Sequence, residues 1–190
     1  MYKSIPTYKE GKWTITDFET LEDFIDFVNE VFKVPGQYLF DETSYLFNEQ
    51  ATLFNKQGFY CDKPMRSKDF MTYWEDQKNK CRNGVIFINK NKAWYITRDY
   101  YMWLNFLPIF DKEEKKYGFA KVRDAQYHMA LYELLGELQS KHAAILKKRQ
   151  IASSYFHMAK IINQYWFEEG SICKIGASLK DYINDKGSWK

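Results

Sequence analysis

Cysteine, histidine, glycine and proline are all scarce in this sequence of 190 residues. It contains three cysteines, three histidines, nine glycines and four prolines. Cys61, Cys81 and Cys173 are odd in number and show no paired spacing, and no Cys/His cluster has the spacing of zinc ligands. These absences argue against a disulfide scaffold and a zinc module, and they indicate a protein of a reducing compartment.

Long apolar runs are also absent. No stretch approaches the roughly 18 apolar residues of a membrane-spanning helix. The first residues, MYKSIPTYKEGKW, lack the apolar region of a secretory leader. The sequence therefore predicts a soluble protein.

An excess of charge of either sign is also small, but the charged residues are unevenly distributed along the chain. The net charge is +3 overall. Residues 1–118 carry 17 Lys/Arg against 18 Asp/Glu, whereas residues 119–190 carry 11 against 7. The mild basic bias of the second part is compatible with an anionic ligand and too small to demonstrate one.

Aromatic residues, in contrast, make up 19% of the chain, and most of them are expected in the core of one domain. Apolar residues recur at helical spacing from Phe18 to Phe32, and further helices are predicted at about 43–56 and 67–80. Two β-rich runs flank the tetrapeptide 89–92, which predicts a hairpin at about 84–96.

The charged segment DKEEKKYG, residues 111–118, is the best candidate for a linker between a helical region, 1–110, and a second region, 119–190. In the second region the pattern predicts a helix from Asp124, a buried strand at 142–146 (HAAIL) and a helix from Ser153 or Ser154. A strand at 171–177 and a helix from Ser178 follow. This alternation is typical of the first βαβ part of a parallel α/β sheet.

The stretch ILKKRQIASSYFHMAK, residues 145–160, has the chemistry of a phosphate-binding loop without its glycines. Lys147, Lys148 and Arg149 supply cations, and Ser153 and Ser154 supply hydroxyls where the next helix begins. Phosphate binding at such a junction uses free backbone N–H groups and the helix dipole. The pattern G-x-x-x-x-G-K-[ST] is absent. One continuous helix over 124–168 with an exposed basic turn is the alternative.

A glutamine upstream adds to the pattern. The amide of Gln126, in RDAQ, offers one donor and one acceptor, which match the N7/N6 edge of adenine. An exposed helical glutamine without a ligand is the alternative. Tyr100 and Tyr101 are candidates to flank a base, although core packing is the more common role of such residues.

Three sequence blocks together resemble the N-terminal part of the large terminase subunits of tailed phages, the crAss-like form above all. These proteins are the ATPase-nuclease motors that package DNA into procapsids. The blocks are YWEDQKNKCRNG followed by WYITRDYYMWLNFLPI, then RDAQ, and then KKRQIASS, which is similar to a deviant Walker A loop of the form K-x-R-Q-x-G-x-S. The resemblance spans roughly residues 70–185.

The resemblance implies the start of a P-loop NTPase sheet of the ASCE type, incomplete at the C-terminus, that binds ATP and Mg²⁺. Gln126 would read adenine, Lys147 would bind phosphate and Ser154 would contact Mg²⁺ through its hydroxyl. The whole implied nucleotide site is Arg123, Gln126, Lys147, Lys148, Arg149, Gln150, Ala152, Ser153 and Ser154. The implied partners are double-stranded phage DNA, a portal protein, a small terminase subunit and further copies in a ring, in the host cytoplasm at the procapsid portal.

Two departures from the family pattern limit these expectations. Ala152 occupies the glycine position of the loop, and at positive φ an alanine would cost on the order of 1 kcal/mol. No apolar run ending in an Asp/Glu pair follows Ser178, so a Walker B aspartate and a catalytic glutamate are missing. We therefore expect no catalytic residue in this chain, and the pattern is that of an N-terminal fragment with weak ATP binding and almost no hydrolysis.

Two other functions remain open from the sequence. In the first, region 17–80 docks a portal or small terminase protein, and the basic loop touches DNA phosphates without ATP. In the second, the chain is a small α+β protein in which 145–160 is plain helix and neither ligand binds.

Overall fold

A four-stranded sheet is built from two hairpins that lie side by side. The computed structural model describes residues 4–33, 44–111, 115–147 and 151–174. Strands β1 (Ser4–Lys9) and β2 (Lys12–Asp17) form one antiparallel hairpin, and β3 (Val85–Asn89) and β4 (Lys92–Ile96) form the other. The strand order is β2-β1-β3-β4, and β1 pairs with β3 in parallel, so the sheet is mixed.

Both hairpins turn through residues in the left-handed region. Lys90 and Asn91 have φ of 48° and 61°, and Glu10 and Gly11 have φ of 50° and 79°. Two consecutive positive φ values are the mark of the two-residue type I′ turn, whose twist suits the flanking strands. The predicted hairpin at 84–96 is confirmed. The first hairpin, β1–β2, was not predicted from the sequence.

Within the described residues, six α-helices accompany the sheet: α1 (Leu21–Phe32), α2 (Glu49–Gln57), α3 (Lys68–Asn83), α4 (Arg98–Phe106), α5 (Asp124–Leu138) and α6 (Ser153–Phe167). A 3₁₀ helix, Ser44–Asn48, leads into α2. The helices predicted near 18–32, 43–56 and 67–80, and those starting at 124 and 153, are confirmed. Thus the α/β prediction holds in the form of a mixed sheet with six helices.

Capping side chains explain several of the helix starts. At α1, Thr20 accepts a hydrogen bond from the Asp23 N–H, and Asp23 accepts one from the Thr20 N–H, a reciprocal capping box. The Ser67 and Thr97 side chains each accept one hydrogen bond from a backbone N–H in the first turn of α3 and α4, without the reciprocal bond. Helix α4 was not predicted because it is buried on nearly every side and therefore lacks a polar face to mark its period.

The hydrophobic core takes residues from both sides of segment 111–118. Strands β5 (Ile109–Asp111) and β6 (Lys116–Gly118) pair as a short antiparallel hairpin at the segment that was predicted as a linker. Helix α6 packs on α4, and α5 packs on α1. The fully buried large side chains include Phe24, Phe87, Trp94, Trp103, Tyr127 and Phe156. The domain division at 111–118 stays a prediction.

The buried strand predicted at 142–146 is wrong. Residues 141–147 form no strand and are exposed. After α5, Ser140 adopts φ of 54° and the Lys141 N–H donates to the Gly136 carbonyl oxygen at 2.7 Å, so a turn follows the helix. Two alanines in five residues also give a weak strand preference.

Two further expectations concern the same region. The continuous helix over 124–168 is wrong, since α5 ends at Leu138 and α6 begins at Ser153. Residues 171–174, the first part of the predicted strand 171–177, are not a strand. The remainder of that segment and the helix from Ser178 lie outside the described residues.

Candidate functional site

The residue before α6 has a left-handed conformation, which glycine adopts readily and alanine does not. Ala152 has φ of 56° and ψ of 20° and is the N-cap of α6. It offers no side-chain oxygen to the N–H groups of the first turn, and no side-chain cap hydrogen bond forms there. The strain that the sequence suggested for an alanine at this position is therefore present.

Gln126 contacts this loop directly, although 25 residues separate the two in sequence. Its Nε2 donates a hydrogen bond to the Ile151 carbonyl oxygen at 2.8 Å. The side chain is buried, with 2% exposed, and its Oε1 has no hydrogen-bond partner among the described residues. The structure thus brings together two blocks that the sequence had linked only through a resemblance. The alternative of an exposed helical glutamine is wrong.

The aromatic residues upstream have structural roles. Tyr100 is fully buried, and its hydroxyl oxygen accepts a hydrogen bond from the Arg123 N–H at 3.2 Å. Tyr101 donates to Oε1 of Gln77 at 2.7 Å. Burial raises the pKa of Tyr101 well above its usual value. Core packing, the more common role, is therefore confirmed for both tyrosines, while the Arg123 side chain is exposed at the start of α5.

A cleft of about 480 Å³ lies between the second half of α5, segment 141–147 and the start of α6. Two of the residues predicted for the nucleotide site, Lys147 and Ser153, line it. Lys147 is exposed, Ser153 is 5% exposed and Ser154 is exposed in the first turn of α6. Lys148, Arg149 and Gln150 lie outside the described residues.

The floor of the cleft is a cluster of paired charges that sequence reasoning did not find. Glu133 on α5 accepts from Nε2 of His157 at 2.8 Å through Oε1 and from Nζ of Lys160 at 2.9 Å through Oε2. Lys160 also pairs with Glu137, one turn further along α5. The four-residue spacing of Glu133 and Glu137 was visible in the sequence, but the partners on α6 depend on how the two helices pack.

The charge states of the cluster follow from these contacts. The hydrogen bond to Glu133 raises the pKa of His157. Burial alone would raise the pKa of Glu133, but the hydrogen bond from His157 and the charge of Lys160 outweigh it, and the pKa is lowered. Burial would lower the pKa of Lys160, yet its two carboxylate partners raise it. Each of these shifts favours the charged form of its group.

Ser153, His157 and Glu133 have the residue types of a hydrolytic triad but not its proton arrangement. Nδ1 of His157 lies 2.6 Å from the Ser153 carbonyl oxygen and 3.2 Å from its Oγ. Since Nε2 faces a carboxylate, only an imidazolium can donate from both nitrogens. A base for the serine hydroxyl must have a free lone pair. The geometry thus favours a structural cation rather than a catalytic base.

Basic side chains on the rim of the cleft lack such pairing. In the part of the chain that the structure describes, Lys147 contacts no carboxylate. Lys141 donates to Oε1 of Gln139 at 2.9 Å, a neutral partner. The rim can therefore attract an anion with two cations that no carboxylate in the described chain neutralises.

Metal and membrane features can be stated for the described ranges alone. Within them, no group of three or more His, Cys, Asp or Glu side chains is arranged to hold a metal ion. None of the helices there combines the length and apolar composition needed to cross a bilayer.

Comparisons with protein families, with curated proteins and with solved structures give no match to this chain.

Proposed function

We propose that this chain binds a nucleoside triphosphate, ATP in the first instance, in the cleft between α5 and α6. The bond from Gln126 Nε2 to the Ile151 carbonyl oxygen is the observation that supports this best. It joins the adenine-reading block of the terminase pattern to the loop that precedes α6. Two rim lysines and Ser153, the first residue of α6, line one cleft, and the left-handed Ala152 directly precedes Ser153. A cationic rim and a helix start suit a phosphate site.

Within this proposal, the residues have distinct tasks. Lys147 attracts the phosphates from the rim, and the N–H groups of the first turn of α6 bind phosphate oxygens. Mg²⁺ takes oxygen ligands and usually arrives with substrate phosphates, and the hydroxyls of Ser153 and Ser154 suit that shell. Base reading by Gln126 requires its amide to leave Ile151, so adenine selectivity depends on a movement of the loop.

The proposal extends to the kind of protein that contains this nucleotide site. We infer from the sequence blocks that the chain is the front part of a terminase-type DNA-packaging motor, with a P-loop NTPase sheet, phage DNA, a portal protein and a small terminase subunit as partners. A ring of copies at the procapsid portal in the host cytoplasm would be its setting. Such a sheet would require exposed segment 142–146 to pair with a strand outside the described residues.

Titration of a fluorescent ATP analogue tests the nucleotide site. Lys147→Ala is expected to weaken binding about tenfold, since it removes a charge-assisted contact of the order of 1.5 kcal/mol. Lys12→Ala, at an exposed lysine of the first hairpin, is the matched control and should bind like the wild type. Equal affinity of folded Lys147→Ala and wild type would refute the assignment.

A second function, docking to a portal or small terminase protein, is favoured by exposed apolar side chains within residues 59–71. Met65 and Met71 are 80% and 58% exposed, and Phe59 is 47% exposed. Flexible methionines are common at adaptable binding surfaces. Met65→Ser with Met71→Ser should abolish portal binding if this function is correct, and should leave ATP binding unchanged.

A further inference from the structure

The cations of the cleft fall into two groups that differ in their partners. Lys141 and Lys147 on the rim contact no carboxylate in the described chain, as stated above. His157 and Lys160 on the floor are held by Glu133, whose side chain is only 9% exposed. An anion that enters therefore meets available charge at the rim and neutralised charge at the floor.

Glu133 presents its two oxygens to the floor cations much as an anionic ligand would. Oε1 lies 2.8 Å from Nε2 of His157, and Oε2 lies 2.9 Å from Nζ of Lys160. Two acceptor oxygens on two cations is also the way in which a phosphate group is bound by cationic side chains. Ser153 completes this floor, and its Oγ is 3.2 Å from Nδ1 of His157.

We infer that the floor of the cleft is a phosphate subsite, and that Glu133 occupies it as an internal competitor while the cleft is empty. This inference rests on the proposed function, because it assigns the terminal phosphates of the same ligand to His157 and Lys160. Binding exchanges the contacts of Glu133 for contacts of the phosphate. Glu133 thus lowers the affinity of the cleft for phosphate, and it makes no contact that stabilises the bound ligand.

Glu137 provides a matched control for this inference. It lies on the same helix, lines the same cleft and pairs with Lys160, but it does not contact His157 in the described chain, and its side chain is 38% exposed. Glu133→Gln and Glu137→Gln change the net charge equally. Only the first removes the carboxylate that bridges the two floor cations.

Direct binding of a fluorescent ATP analogue, and its displacement by tripolyphosphate, measure the effect. Glu133→Gln should bind both probes roughly tenfold more tightly than the wild type, because a like charge within about 4 Å of the incoming phosphate is removed. Glu137→Gln should change affinity by no more than about threefold, since exposed charges are screened by solvent. An equal gain for both probes assigns the effect to phosphate rather than to the base.

A second substitution separates a subsite from a change in folding. Adding Lys160→Gln to Glu133→Gln should remove most of the gain, and Lys160→Gln alone should weaken wild-type binding. If Glu133→Gln shows no cooperative unfolding transition and is therefore not folded, the single variant Lys160→Gln provides the test. An affinity of Lys160→Gln for both probes equal to that of the wild type overturns the inference.

Two outcomes distinguish the phosphate subsite from nucleotide binding itself. If the wild type binds ATP in a Lys147-dependent manner and Glu133→Gln binds no more tightly, the inference is overturned and the proposed function stands. If neither the wild type nor Glu133→Gln binds either probe, both are overturned.

Discussion

The amide of Gln126 donates to the carbonyl oxygen of Ile151 at 2.8 Å, and this bond connects the first turn of α5 to the residue before the left-handed Ala152. The bond is buried on the glutamine side, where 2% of the residue is exposed. The start of α6 is therefore positioned by α5 and not by its own cap, since Ala152 provides none.

Removing this bond should loosen the loop. Gln126→Ala leaves the Ile151 carbonyl oxygen without its donor, and we expect a loss of about 1–3 kcal/mol in the free energy of unfolding. Urea unfolding followed by fluorescence measures it. Gln139→Ala, at an exposed position after α5, is the control and should change stability by about 0.5 kcal/mol or less. A loss at Gln126 no larger than at Gln139 would show that the bond does not hold the loop.

Glycine at position 152 should stabilise the protein. Ala152→Gly relieves a left-handed alanine, and we expect a gain of up to about 1 kcal/mol in the free energy of unfolding. Ala125→Gly, in the first turn of α5, is the opposite control, because glycine in a helix with ordinary φ costs up to about 1 kcal/mol. Chemical denaturation of both variants should give changes of opposite sign. A loss of stability in Ala152→Gly would contradict the left-handed conformation.

The pairing of His157 with Glu133 should make stability depend on pH. The pKa of His157 is raised in the folded protein, so its contribution is complete below the unfolded pKa of about 6.5 and is lost as pH rises through the higher folded pKa. The pKa of Glu133 is lowered, so its contribution is lost as pH falls through its folded pKa. The difference in melting temperature between wild type and His157→Gln should therefore shrink on going from pH 6 to pH 8.

The exposed His142 provides the control for that experiment. His142→Gln should show no such change with pH, because no hydrogen bond or ion pair holds the ring in the described chain. A constant difference between wild type and His157→Gln across this range would mean that the imidazolium is not bound by Glu133.

The buried Asp99 should also make stability fall as pH rises, but over a lower range of pH. Burial raises its pKa to about 7, although the Arg98 guanidinium acts in the opposite direction. Its unfolded pKa is about 3.9, so unfolding releases a proton between these values and stability falls as pH rises through them. Asp99→Asn removes this slope, so its melting temperature relative to wild type should rise between pH 4 and pH 7 and then level off. Asp69→Asn, in the exposed first turn of α3, should show no comparable rise, and a flat difference for Asp99→Asn would exclude the raised pKa.

Local patterns predicted much of the secondary structure and little of the sheet. Apolar spacing identified α1, and the polar tetrapeptide 89–92 identified the β3–β4 hairpin. Each of these signals is carried by residues that are close together in the sequence. Helix α4 gave no amphipathic signal, since residues 98–105 are all buried. The parallel pairing of β1 with β3 joins segments almost 80 residues apart, and no local pattern specifies such a partner.

In the candidate site, too, some features were predicted from the sequence and others depend on contacts between distant segments. Residue type pointed to Gln126, Lys147 and Ser153, and the resemblance to the terminase loop pointed to Ala152. The strand predicted before the loop was wrong because a strand forms only where another strand can pair with it, and segment 142–146 has none in the described chain.

Residue type and short spacing predicted that helices begin at Asp124 and at Ser153 or Ser154, and they indicated which residues could bind an anion. They left open whether residues 124–168 form one continuous helix. The packing of the helices decided that Gln126 is buried against Ile151 and that Glu133 pairs with both His157 and Lys160. Those contacts arise because α5 and α6 both pack against α4, which places Glu133 beside His157 and Lys160 where low exposure strengthens a charged pair.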